Sequence, residues 1–341
     1  MSKVNVGVVG TGIYLPDDRM TAKEVAEKTK GIWNEEAVTE KLGIVEKVVP
    51  SDKESDGTQE MGALASLDCL KNTGVDPKEI NVILCIGEEW KEYPLTTSAL
   101  YIQDRIGAVN AWGIDVQNRC CTCVSAIKIA KDIMIADEDV NYVLIAGGYR
   151  NVDFVDYADK NMSMMYNLAA GGGAILLKKN HNKNLVLGSH IISDGSLSRT
   201  AGVEIGGTAK PFTKKNLEEG KKSLRLMDAK TMKDRLNETS MDNWMDCINK
   251  SCEKSELSID DITYLAMLHI KRSGHQFMLD SLKLKDEQSV YLENYGHIGQ
   301  IDQILSLHLA LEQGKVKDGS VICMLAAGIG YVWAANIIRW G

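Results

Sequence analysis

The sequence predicts an α/β fold in which a mostly parallel sheet is covered by helices. Short apolar runs alternate with amphipathic helical stretches along most of its 341 residues. Turn-forming residues bound each run. The two halves also echo each other, since NLAAGGGAILL (167–177) and LAAGIGYVWAANII (325–338) both place an Ala/Gly-rich turn before an apolar strand. That echo suggests a duplicated α/β unit.

The chain opens on a strand, VNVGVVGTGIYLP (4–16), followed by a helical stretch at 20–29. A second helix is expected at 59–74, then the strand NVILCIG (81–87) and a helix at 96–107. WGIDV (112–116) is the next strand, and apolar residues at Cys123, Ile127, Ala130 and Met134 space a helix over 120–135. Strands are also expected at 141–148, 174–178 and 185–192. A polar, Gly- and Lys-rich stretch around 195–222 leads into a second half, helical over 223–256. Strands are then expected at 263–270, 289–294, 320–328 and 332–340, with a helix at 302–316. The halves divide at 1–180 and 181–341.

Composition narrows the function classes. Hydrophobic residues are 44% and charged residues 25% of the chain, the balance of a soluble globular protein. No apolar run approaches the roughly 20 residues of a membrane span. The N-terminus lacks a signal-peptide layout, so a cytoplasmic location is expected. A net charge of -8 argues against nucleic acid as an obligate partner. The eight cysteines are scattered along a chain of cytosolic character, where thiols stay reduced and most pack as small core residues.

Two motifs promise more than they hold. Gly10 and Gly12 begin a dinucleotide fingerprint, but its third glycine falls at Leu15 and Pro16 follows. Cys120, Cys121 and Cys123 have no second pair at metal-ligand spacing, and they lack the C-x-x-C of thiol oxidoreductases. Neither a nicotinamide, a flavin nor a metal is implied. Cys120 instead lies at a strand-to-helix turn, where free N–H groups and the helix dipole favour a thiolate nucleophile. Cys121 and Cys123 then turn into the packing around the helix.

Residues 115–126, D-V-Q-N-R-C-C-T-C-V-S-A, resemble the nucleophile segment of the thiolase-like condensing enzymes. The branch resembled is beta-ketoacyl-ACP synthase III, with the hydroxymethylglutaryl-CoA synthases related. That family carries an Asp five residues before its catalytic Cys, matching Asp115 and Cys120. The resemblance continues through GTGIYLP (10–16), VTEKLGI (38–44), AAGGGAILL (169–177), GHIG (296–299) and AAGIGYVWAANIIRWG (326–341). It implies a thiolase-like fold, two pseudo-duplicated βαβαβαββ halves in α/β/α/β/α layers, and a homodimer. It also implies an acyl-CoA or acyl-ACP thioester as substrate, with no tightly bound cofactor.

The family loads an acyl group on its Cys and then condenses it with malonyl-ACP, using a His and an Asn. His269 matches the His, although Arg272 stands where the Asn of its H-x-x-N stretch belongs. The catalytic Asn is replaced by His297. A His can donate as Asn does, but it can also act as a base. Asp302 could orient it, giving a Cys120–His297–Asp302 triad. Two chemistries therefore stay open: decarboxylative condensation, or acyl transfer to an oxygen or nitrogen acceptor. A non-catalytic relative that only binds a carrier protein is a third reading.

Gly330 matches the glycine turn whose N–H joins that of Cys120 in an oxyanion hole. Trp33 resembles the aromatic near the adenine of CoA, Lys41 stands near the family's arginine, and Arg150 is a further phosphate candidate. Plainer readings remain. His269 could cap a strand end, Asp302 could be a helix cap, Gly330 could serve a tight turn, and Arg150 could be a surface residue. His181, His190, His275 and His308 read as structural.

Overall fold

The computed structural model describes residues 4–341. Its strands are β1 (Val6–Tyr14), β2 (Arg19–Thr21), β3 (Glu46–Val48), β4 (Val82–Cys85), β5 (Trp112–Asp115), β6 (Tyr142–Tyr149) and β7 (Gly171–Lys179). Then follow β8 (Leu185–Ser193), β9 (Ala201–Val203), β10 (Leu224–Leu226), β11 (Tyr264–Met267), β12 (Val321–Gly328) and β13 (Val332–Arg339). The helices are α1 (Ala22–Lys28), α2 (Glu35–Ala37), α3 (Thr58–Thr73), α4 (Ser98–Ile106), α5 (Thr122–Ala136), α6 (Lys214–Glu219), α7 (Ala229–Glu253), α8 (Arg272–Ser281) and α9 (Asp302–Glu312).

Nine strands form a sheet in the order β11-β12-β13-β8-β1-β7-β6-β4-β5. Its pairing makes the duplication visible. β1 runs antiparallel to β7, β7 antiparallel to β6, and β6 parallel to β4. β8 repeats the series with β13, β12 and β11, again antiparallel, antiparallel, parallel. The sets meet at a single ladder rung, Gly7–Leu185. Beside it Val8 N–H donates to Asn184 O, and the Asn184 amide returns a bond to Val8 O. The sheet is mixed rather than mostly parallel. Strands joined by short turns, such as β12 and β13, must run antiparallel, whereas crossovers through α4 and α5 make β4, β5 and β6 parallel.

Five layers result. α3 covers β1, β6 and β7 on one outer side, and α7 covers β8 and β13 on the other. α5 and α9 lie between, each touching strands from both halves. The apolar stripe of α5 is fully buried at Cys123, Ile127, Ala130 and Met134. Side chains the size of Ile and Met each stabilise by about 1.5–3 kcal/mol when buried this way. One large core runs through this middle layer from Val6 to Ile338.

The stretch 289–294 is not a strand. It touches β11 at one isolated bridge, Leu265–Ser289. Its Glu293 carbonyl accepts instead from Val45 and Glu46, and Tyr295 O accepts from Val48. Backbone partners outside the ladder drew it away. Among the described residues no helix is long and apolar enough to cross a membrane.

Candidate active site

Two turns face each other across the middle layer. In the first half, the chain leaves β5 at Asp115, makes a 3-10 turn at Arg119–Cys121 and enters α5. In the second half, it turns at Gly299–Ile301 and enters α9 at Asp302. The first turn brings Cys120 and the second brings His297 and Asp302. Cys120 Sγ lies 3.3 Å from His297 Nε2, and His297 Nδ1 lies 2.5 Å from Asp302 Oδ2.

The first turn is braced locally. Asn118 N–H donates to Thr122 Oγ1, which donates to Arg119 O, and the Asn118 amide reaches Ser125 Oγ. Asp115 accepts from the N–H groups of Ser98 and Ala99 and so caps α4. The β12–β13 hairpin abuts the turn from the other half. A Cβ on Gly328 would stand 3.2 Å from Cys120 N and 3.0 Å from Arg119 Cβ. Gly330, with φ +129°, sits two residues further along that hairpin and has open space where a Cβ would be. Cys121 and Cys123 are fully buried, as packing residues should be, and Cys120 is half-buried. Among the described residues no cluster of His, Cys, Asp or Glu could hold a metal.

The second turn is fixed from below. Asp302 is fully buried and accepts from three donors: His297 Nδ1, Ile298 N–H and His269 N–H. A carboxylate can only accept, so Nδ1 carries the proton and neutral His297 presents a bare Nε2 to the sulfur. Burial opposes a charge on this imidazole, but the neighbouring Asp302 and Cys120 outweigh it and hold its pKa well above the usual histidine range. A thiol that gives its proton to Nε2 leaves a thiolate facing an imidazolium that Asp302 has already compensated.

The His297 backbone is held by a neighbouring segment. Its N–H donates to Asn167 O, and its carbonyl accepts from Ala169. That segment is pinned by Lys47, a fully buried lysine whose Nζ donates to Tyr157 Oη, Tyr166 O and Leu168 O at 2.7 Å each. Burial and the nearby Lys28 pull its pKa down to about 7.

His269 is placed differently from His297. Its Nε2 donates to Gly43 O at 3.1 Å, and its Nδ1 takes a bond from the Asn167 amide. The ring stacks on Tyr291 at 5.1 Å and is buried, which drives its pKa down to about 4. Both ring nitrogens are committed within the fold, and its backbone N–H serves Asp302. Trp33 and Lys41 come together, with Nζ 6.0 Å from the indole. Arg150 donates to Asp153, to Asp56 O and to Ser51 O.

Sequence reasoning passed over Glu88, Arg119, Asn167 and Lys47. One signal was there for two of them, an arginine directly before Cys120 in a segment of small residues and an acidic pair directly after the strand 81–87. Arg119 Nη1 donates to Glu88 Oε2 at 2.8 Å.

A family model described as 3-oxoacyl-[acyl-carrier-protein (ACP)] synthase III matches residues 114–195, and its C-terminal counterpart matches 252–340. A beta-ketoacyl-[acyl-carrier-protein] synthase III of Azobacteroides pseudotrichonymphae is 25% identical over 342 residues, covering 100% of this chain and 99% of that protein. One from Clostridioides difficile is 25% identical over 345 residues, covering 98% of each. The fold is shared with 3-oxoacyl-[acyl-carrier-protein] synthase III from Aquifex aeolicus, at a TM-score of 0.82 and 20% identity, with 98% of this chain and 100% of that one covered.

Proposed function

The chain belongs to the 3-oxoacyl-[acyl-carrier-protein] synthase III family, and from that premise we propose how this particular site works. Cys120 takes an acyl group from a CoA or carrier-protein thioester. His297 Nε2 accepts the thiol proton, the thiolate attacks the carbonyl, and the same proton leaves with the departing thiol. The N–H groups of Cys120 and Gly330 receive the developing oxyanion. Malonyl-ACP then enters and loses carbon dioxide. His297, having taken up a proton from solvent after the first thiol left, donates to the enolate oxygen. The carbanion attacks the acyl carbonyl and expels the Cys120 thiolate, to which the proton then returns. The observation behind this reading is the 3.3 Å approach of Cys120 Sγ to a histidine oriented by a buried carboxylate.

His269 serves here from behind, through Asp302, because its ring nitrogens are already engaged. Trp33 and Lys41 meet the CoA or phosphopantetheine arm, with Lys41 as a point charge rather than a guanidinium fork. The working unit is a homodimer built on the edge strand β5, whose Trp112 and Ile114 are exposed beside Leu100 and Tyr101 of α4.

A second reading has its own observation. Asp302 fixes the tautomer that leaves Nε2 unprotonated in neutral His297, which suits it to take a proton from a hydroxyl or amine acceptor. The Cys120–His297–Asp302 triad would then transfer the acyl group to oxygen or nitrogen. Intact-mass spectrometry after incubation with acetyl-CoA or octanoyl-CoA tests the common first step, and an adduct that persists in Cys120→Ala would defeat both readings. Carbon dioxide release from malonyl-ACP by the acylated enzyme selects condensation. Its absence, alongside acyl transfer to a free acceptor, selects the triad.

A further inference from the structure

We propose that Arg119 and Glu88 form a clamp on the nucleophile's turn, making both of them positioning residues for Cys120. The inference rests on Cys120 being the acylated nucleophile. It starts from a backbone anomaly. Arg119 has φ +53°, in the left-handed region where a side chain is disfavoured. The matching turn of the second half meets the same demand with glycine, at Gly296 (φ +74°) and Gly299 (φ +57°). Glycine would relieve the first turn as well. An arginine there keeps the strain and gains whatever its side chain does.

Its guanidinium reaches across to the loop leaving β4. Nη1 bonds Glu88 Oε2 at 2.8 Å, while Nη2 lies 3.6 Å from Glu89 Oε2. Glu89 is well exposed and contributes little. The Glu88 side chain is only 6% exposed, so the ion pair holds a buried carboxylate. Losing one partner of such a pair is costly. Burial works against the guanidinium charge, and Glu88, Glu89 and the nearby Cys120 together raise its pKa further. On the opposite side Gly328 lies so close that a Cβ there would stand 3.0 Å from Arg119 Cβ. The turn is thus held between an ion pair anchored after β4 and a hairpin from the other half. Its next residue is the sulfur that must meet His297.

The test separates position from stability. Arg119→Gly, Glu88→Gln, their double variant and Arg119→Lys are compared with the wild-type chain in rapid-quench acyl loading from acetyl-CoA and octanoyl-CoA, read by intact mass. Melting temperature and iodoacetamide alkylation of Cys120 are measured in parallel. Arg119→Gly relieves the strain but leaves the buried Glu88 carboxylate unpaired, so its melting temperature should fall by an amount that the double variant Arg119→Gly/Glu88→Gln recovers. Loading and alkylation in Arg119→Gly should fall by about tenfold or more, the scale of a misplaced reacting group. The donor KM should stay within about twofold, since ground-state binding is untouched. Glu88→Gln should show the same kinetic loss, and Arg119→Lys should recover part of it. Wild-type rates in Glu88→Gln or Arg119→Gly overturn the clamp, as does a rate loss that merely tracks the melting temperature. If Arg119→Gly does not fold, Glu88→Gln decides. A wild-type chain that alkylates but never loads defeats the condensing-enzyme reading, and the clamp is then judged on alkylation.

Discussion

The two halves of the molecule repeat one framework and differ in the turn that leads into the middle helix. Before α5, the turn carries Cys120 and is bent at an arginine. Before α9, it carries His297 and is bent at glycines. The first turn is tied sideways by an ion pair to Glu88, and the second is tied downward by backbone bonds to Asp302 and Asn167. On the proposed mechanism, the first turn must hold a nucleophile at one place while its substrates change, whereas the second must keep a base in one ring orientation. The framework offers equal positions to both, and local chemistry assigns the roles.

The sharpest way to break this comparison is to remove one reacting group from each turn. Cys120→Ala should abolish acyl loading, and His297→Ala should slow it by about 10²–10⁴-fold, the range for a lost general base. Rapid-quench mass spectrometry reads both. Loading at the wild-type rate in His297→Ala would leave the second turn without a catalytic part.

The glycine bends come next. Gly299→Ala puts a Cβ 2.3 Å from the Tyr149 ring and forces a side chain into φ +57°. We expect a loss of about 2–4 kcal/mol by calorimetry. A variant as stable as wild type would show that the second turn does not need its glycine.

Acid should strain the halves unequally. His269 and His275 both lie in the second half and are pushed down to about 4 by burial. The unfolded chain binds those protons already below about pH 6.5, so stability is fully present above that value and declines as pH falls toward 4. The penalty reaches about 3 kcal/mol per histidine at the low end. Melting temperature across this window should fall in wild type and fall less in His275→Gln. Equal slopes would remove His275 from the account.

The smallest effect concerns the α4 cap. Asp115→Ala removes the acceptor of two helix N–H groups and should cost about 1 kcal/mol in urea unfolding, without the rate loss expected of Cys120 or His297 variants. A large loss of loading instead would give Asp115 a part in placing the nucleophile beyond capping.

Much of this was legible in the sequence where it depended on near neighbours. Asp302 is five residues from His297, and Cys120 sits at the boundary of two clear elements, so local pattern located both. The echo between 167–177 and 325–338 falls on β7 and β13, which hold matching places in the sheet. Distance along the chain hid the rest. Glu88 meets Arg119 across 31 residues, and the amide of Asn167 meets His269 across 102. The ring partners of His269, Gly43 O and the Asn167 amide, lie 226 and 102 residues away, where local pattern cannot show them. The run 289–294 has strand composition, and only the segment at 45–46 leading into β3 reveals where its Glu293 carbonyl goes.

The seam at Gly7–Leu185 has a consequence for how the chain can be cut. Within the sheet the halves share that one rung, yet loop hydrogen bonds such as His297 N–H to Asn167 O and a shared central apolar cluster join them, with Val6, Cys123 and Ile304 in one body. A fragment ending near residue 180 would carry most of one ladder intact and half of an interior laid open to water. Neither piece should be a free-standing folding unit. Expressed together, the two should recover structure only by assembling with each other, and the reaction centre should reappear at that same moment.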